Sequence, residues 1–111
     1  MRRMQRKQLQ KTIDRMARLI VRRFDPDRII LFGSHARGQA GPDSDVDLLV
    51  VMAVPGSKRD KAVEIAVALH GFRLPKDVIV TTPEEFAWRK EVVGTIEWPA
   101  AREGKVLYAR P

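Results

Sequence analysis

The 111-residue sequence predicts an α/β (α+β) domain, a mixed sheet of about four strands with helices packed against it. Two short apolar runs, Ile29-Ile30-Leu31-Phe32 and Leu48-Leu49-Val50-Val51, are rich in β-branched or bulky residues and predict buried strands. Amphipathic segments precede and follow them. The chain order is helix, strand, strand, helix, strand, helices, strand.

The first helix is expected over residues 1–24. Leu9, Ile13, Met16, Ala17, Ile20 and Phe24 fall on one stripe at three- and four-residue steps, and the opposite side is dominated by Arg, Lys and Gln. Such an Arg-rich, acid-poor segment also fits a presequence, but a sheet in so small a domain needs the apolar stripe as cover. Asp25-Pro26-Asp27 stops the helix, because proline cannot donate the next hydrogen bond. A strand over 28–32 follows at once. Residues 38–44, with two glycines and a proline, form a loop, and a second strand runs over 45–53. Its four consecutive apolar residues require cover on both faces, hence a central position.

Ser57 is placed to cap a helix over 58–70 that buries Ala62, Ile65, Ala66 and Leu69 and ends at Gly71. The third strand covers 76–81. Thr82-Pro83-Glu84-Glu85 opens another helix with a cap, a proline at the first position and acids in the first turn. A further helix over 93–103 must kink or restart at Pro99, and Gly104 closes it. Residues 105–108 return as a strand. Phe86, Trp88, Trp98 and Tyr108 read as core.

Composition narrows the chemistry. One domain spans the chain, with no room for a second. Hydrophobic residues at 44% and charged residues at 32% describe a globular chain rather than a disordered one. With no cysteine, thiolate metal sites and disulfides drop out, and oxygen ligands become the natural donors. No apolar run approaches the roughly 18 residues of a membrane span, and the expected location is cytoplasmic. A net charge of +7 favours polyanionic partners, whether nucleotide, RNA or acidic protein, without choosing among them. Aromatic residues do not cluster as RNA-binding surfaces require, so direct nucleic-acid binding is not expected.

The informative stretch is residues 33–47. Gly33-Ser34 ends the first strand, where a missing Cβ lets backbone N–H groups approach an anion. Ser34 is placed to cap a short helical turn behind it. Asp45 and Asp47 are two apart, so both carboxylates leave one face of a strand. Adjacent carboxylates repel each other, and a shared divalent cation resolves the conflict. Taken alone, each could equally be an exposed strand-end acid.

Gly33-Ser34, ten residues, then Asp45-x-Asp47 resembles the signature of the polymerase-β-like nucleotidyltransferases. The fuller string, Gly33-Ser34-x-Ala36-Arg37-Gly38 with Ser44-Asp45-x-Asp47-Leu48, resembles the minimal nucleotidyltransferase (MNT) branch over nearly the whole chain. The resemblance implies the polymerase-β-like fold and assigns Asp45 and Asp47 to Mg²⁺. Asp77, before Val78-Ile79-Val80, matches the third carboxylate of the family, completing the site for two Mg²⁺ ions and accepting the proton of an attacking hydroxyl. Its bland alternative is an ion pair with Lys76. Gly33 and Ser34 would hold a phosphate of the substrate ATP. Arg37 would reach a phosphate or pair with Asp43. His35 is more simply a solvent-facing side chain than an acid or base.

By resemblance, the activity is transfer of NMP, AMP from ATP, to a hydroxyl on a partner protein. The partner implied is a small helical toxin of the HEPN type in a hetero-oligomeric complex, with this chain as antitoxin. The alternative is a non-catalytic module that neutralises a helical partner by complex formation.

Overall fold

The computed structural model describes residues 6–41 and 43–111. The start of the predicted first helix, residues 1–5, and Pro42 of the predicted loop lie outside them. The elements are α1 (Arg6–Phe24), β1 (Arg28–Phe32), β2 (Val46–Val51), α2 (Lys58–Ala68), β3 (Lys76–Thr81), α3 (Pro83–Arg89), α4 (Glu97–Glu103) and β4 (Lys105–Ala109). The strands form one four-stranded sheet in the order β3-β2-β1-β4. β1 pairs antiparallel with both β2 and β4, while β2 pairs parallel with β3. The sheet is therefore mixed, and β2 is central with both neighbours hydrogen-bonded.

The two-sided apolar character of β2 is used in full. On one face Val46, Leu48 and Val50 pack with Ile29 and Leu31 under α1 (Ile13, Met16, Ala17, Ile20) and α2 (Ile65, Leu69). On the other, Leu49 and Val51 join Ile30 beneath Phe86 of α3 and Ala100 of α4. Each fully buried Leu of β2 contributes about 1.5–3 kcal/mol of burial relative to exposure. The strand alternates between two closed layers, so a one-residue slip would exchange them, and the register is strongly specified.

Helix starts follow the expected capping chemistry. Ser57 Oγ accepts the Asp60 amide at 3.1 Å, and Thr82 Oγ1 accepts the Glu85 amide at 3.2 Å with Pro83 in the first turn. Several boundaries and burials differ from expectation. α2 ends at Ala68 with Leu69 as its cap, and Ala66 is exposed because Ile65 and Leu69 alone define the buried stripe. The helix expected from Val93 begins at Glu97, so Pro99 sits in the first turn, where its missing N–H removes no helical bond. Trp88 is exposed rather than core, since seven-residue α3 has one inward stripe and Phe86 occupies it. Gly104 joins α4 to β4 where a Cβ would collide with the Ala100 carbonyl and the Ile30 side chain. Close approach, not backbone angle, makes this residue a glycine. Among the described residues no helix is long and apolar enough to cross a membrane.

Candidate active site

The site lies where β1 ends and β2 and β3 begin. In the antiparallel pairing Phe32 stands opposite Asp47, and in the parallel pairing Asp47 stands beside Asp77. Side chains alternate across a sheet. Asp47 therefore shares the face of Leu49 and Val51, and Asp77 that of Ile79, all on the layer covered by α3 and α4. The helices cover the apolar residues and leave the carboxylate end open. Asp47 is half-buried, whereas Asp45 and Asp77 are exposed. Asp45 falls just outside β2, which starts at Val46 rather than at Asp45 as expected.

Gly33 touches this cluster directly. Its φ of +76° is in the left-handed region, and a Cβ there would run into the Asp47 Oδ2 atom. Glycine is thus needed for backbone angle and for contact. The Gly33 carbonyl accepts the amides of Ala36 (3.1 Å) and Arg37 (3.2 Å), and the Ser34 carbonyl accepts that of Gln39 (2.9 Å), winding residues 33–38 into a turn. The turn begins on Gly33, so Ser34 lies inside it and does not cap it as expected. Ser34 is half-buried, and its hydroxyl makes no hydrogen bond among the described residues. The Ser34 and His35 amides likewise find no backbone acceptor there, which leaves donors at the mouth of the turn.

Arg37 pairs neither with Asp43 nor with the acids. Its Nε donates to Gln39 Oε1 at 3.2 Å and its guanidinium lies 3.6 Å from Glu103. Both partners of that ion pair are exposed, and such pairs are worth about 1 kcal/mol or less. A phosphate could displace it at small cost. His35, expected in solvent, is half-buried and donates Nε2–H to the Ser44 carbonyl at 3.1 Å.

The electrostatics are unbalanced. Lys76 was the alternative partner of Asp77, but its ammonium donates to the carbonyls of Phe72 (2.7 Å) and Leu74 (3.1 Å). None of Asp45, Asp47 and Asp77 has an ion pair or side-chain hydrogen bond among the described residues, in a chain with 21 Lys and Arg. Burial first, then the charges of Asp77 and Asp45, pushes the Asp47 carboxyl up, with His35 and Arg37 pulling it back in part. Those four charges therefore all reach Asp47. Among the described residues no group of three or more acidic or histidine side chains is placed to hold a metal ion by itself, as an all-protein cage would. Mg²⁺ rarely uses such a cage, and instead takes one or two carboxylates, waters and substrate phosphate oxygens. The exposed, unpaired, all-oxygen donor set fits that mode.

Glu97 is the polar residue the sequence did not flag. It is buried, and its Oε2 accepts Thr81 Oγ1–H at 2.7 Å and Arg89 Nε–H at 3.1 Å. Burial opposes its charge, but these hydrogen bonds and the arginine outweigh it and hold the carboxyl below its ordinary value. Thr81 ends β3 far from Asp77, so Glu97 is an anchor for α3 and α4 rather than part of the site.

The nucleotidyltransferase domain family model matches residues 13–99, which takes in Gly33, Ser34 and all three aspartates. The chain belongs to the nucleotidyltransferase domain family. A Methanocaldococcus jannaschii protein provisionally named a protein adenylyltransferase is 36% identical over 55 residues, which is 50% of this chain. The chain spans about half of that relative's length, 54%. Among solved structures, a provisionally named nucleotidyltransferase from Sulfolobus solfataricus superposes with a TM-score of 0.63 at 21% identity, covering 90% of this chain and 79% of the other. A toxin–antitoxin complex crystallised with AMP-PNP gives a TM-score of 0.55 at 22% identity, covering 87% and 73%. At such identities both show the fold.

Proposed function

We propose that this protein is a Mg²⁺-dependent nucleotidyltransferase of the minimal type, moving AMP from ATP to a hydroxyl on a partner protein. The observation that carries the reading is the pair Asp47 and Asp77, register partners on one sheet face, unpaired, with Gly33 in contact with the first of them. Asp45, Asp47 and Asp77 would hold Mg²⁺, which when bound draws negative charge off the transferring phosphorus and the pyrophosphate. Ser34 and the open amides at the mouth of its turn bind the outer phosphates, and Arg37 exchanges Glu103 for a phosphate oxygen. Asp77 accepts the proton of the acceptor hydroxyl as its oxygen bonds to the α-phosphorus. The bond from that phosphorus to the β-phosphate oxygen breaks, and pyrophosphate leaves.

The name of the Methanocaldococcus relative supports a protein acceptor, and the complex with AMP-PNP supports an adenine nucleotide in a toxin–antitoxin setting. Together with the resemblance to the minimal nucleotidyltransferase branch, this leads us to infer a small helical HEPN-type toxin as the partner and this chain as its antitoxin. Incubation with α-labelled ATP, Mg²⁺ and the helical companion tests it. Label should pass to the companion and be lost in Asp45→Ala. A tight complex with no label under any condition would refute transfer and leave neutralisation by contact.

A further inference from the structure

We propose that His35 is a positioning residue that clamps the exposed loop leading into Asp45, so that this carboxylate is presented at a fixed place beside Asp47. The inference rests on the metal-holding role proposed for Asp45. Residues 37–41, Asp43 and Asp45 are all exposed, so no core packing holds the segment. Its own hydrogen bonds are local. Gln39 donates its amide back to Ser34, while Gly41 donates its amide to Ser44 Oγ at 2.8 Å and accepts the Ser44 amide at 3.2 Å. These bonds shape the two ends of the loop without joining them. Among the described residues, the link between the 33–38 turn and the end of the loop is His35 Nε2–H to the Ser44 carbonyl.

The position of that bond gives it its effect. Ser44 precedes Asp45, and its carbonyl belongs to the peptide unit that carries the Asp45 amide. On the other side, the Val46 amide donates to the Pro75 carbonyl at 2.8 Å, two residues before Asp77. Asp45 is thus held by one peptide on each side, one tied to the phosphate turn and the other to the approach to β3. Because a carbonyl can only accept, the bond fixes the His35 proton on Nε2 and leaves Nδ1 without it in the neutral ring. The residue touches no reacting atom in this arrangement. It acts through Asp45.

Two apolar variants, His35→Phe and His35→Leu, remove the N–H, while His35→Gln places an amide N–H near the same point. Trypsin cleavage at Arg37–Gly38 without nucleotide reads the clamp, and steady-state transfer reads its consequence. Loss of one such hydrogen bond should speed nicking about threefold to tenfold. It should lower kcat while leaving the KM for ATP within about twofold, since Ser34 and Arg37 are untouched. His35→Gln should restore both. Wild-type nicking rates in the apolar variants would overturn the clamp, and fast nicking with unchanged kcat would overturn its role toward Asp45. If the wild type transfers no label at all, the enzymatic reading fails by itself, and the nicking contrast still decides the clamp.

Discussion

Asp47 and Asp77 stand side by side in the parallel pairing of β2 and β3, and neither makes an ion pair among the described residues. The sheet ladder holds two like charges together that would otherwise separate. Such cross-strand pairs cost about 0.2–1 kcal/mol. The folded chain accepts this cost at a place where a bound cation would reverse it.

The first prediction follows from the burial of Asp47 and, after it, from that repulsion. The folded-state pKa of Asp47 lies above its unfolded value, so the folded chain holds more protons in that window. Stability falls as pH rises through it and is lower by a constant amount above it. Asp47→Asn should raise the melting temperature of the ligand-free protein by ~2–4 °C at neutral pH, with the difference vanishing in acid. The same variant should lose transfer activity. Thermal melts at pH 4 and pH 7 would check both limbs.

Metal and nucleotide should act together on the wild type. Mg²⁺ with ATP at 100 times the dissociation constant should stabilise it by about 2.7 kcal/mol. The shift should be largely absent in Asp45→Ala and Asp77→Asn. Asp77→Asn should also slow transfer by about 10²–10⁴-fold, the range of general-base catalysis. Calorimetric melts and single-turnover rates measure these.

Gly33→Ala tests the contact at the strand end. Alanine at φ +76° costs about 1–2 kcal/mol, and its methyl group must displace the Asp47 carboxylate. Activity should fall well beyond what the stability loss explains. A folded Gly33→Ala protein with normal transfer rates would contradict the geometry.

Arg37→Ala separates binding from folding. Its ion pair with Glu103 is exposed on both sides, so stability should change by less than about 1 kcal/mol. The KM for ATP should rise, and Glu103→Ala should leave or lower it, because the competitor for Arg37 has gone. Parallel titrations of the two variants give the comparison.

Glu97 controls the opposite end of the sheet. Its carboxyl is held below the ordinary value, so the stability it adds is complete above its unfolded pKa and is lost as pH falls through the folded one. Glu97→Ala would leave the Thr81 hydroxyl and Arg89 without their acceptor and should cost about 1–3 kcal/mol at neutral pH. The penalty should shrink in strong acid. Denaturant unfolding at two pH values measures it.

What the sequence made legible was what local pattern encodes. Four consecutive apolar residues in β2 announced cover on both faces, and Thr82-Pro83 announced the start of α3 to the residue. The strand-start positions of Asp47 and Asp77 pointed to neighbouring places, and the parallel ladder sets them side by side. Illegible features depend on residues distant in the chain. Glu97 is buried because Thr81, sixteen positions earlier, and Arg89 meet it across packed helices. His35 meets Ser44 only once the loop has closed. The exposure of Trp88 follows from tertiary packing, since Phe86 alone takes the inward stripe of α3.

The carboxylates at the open end of the sheet owe their places to main-chain ladders and to a glycine, and hardly at all to their own packing. Chemistry and folding are therefore written on separate atoms. On the proposed function, a single change of acid to amide would stop transfer while leaving the sheet and its two apolar layers in place, so working and inert versions would compete for the same partner.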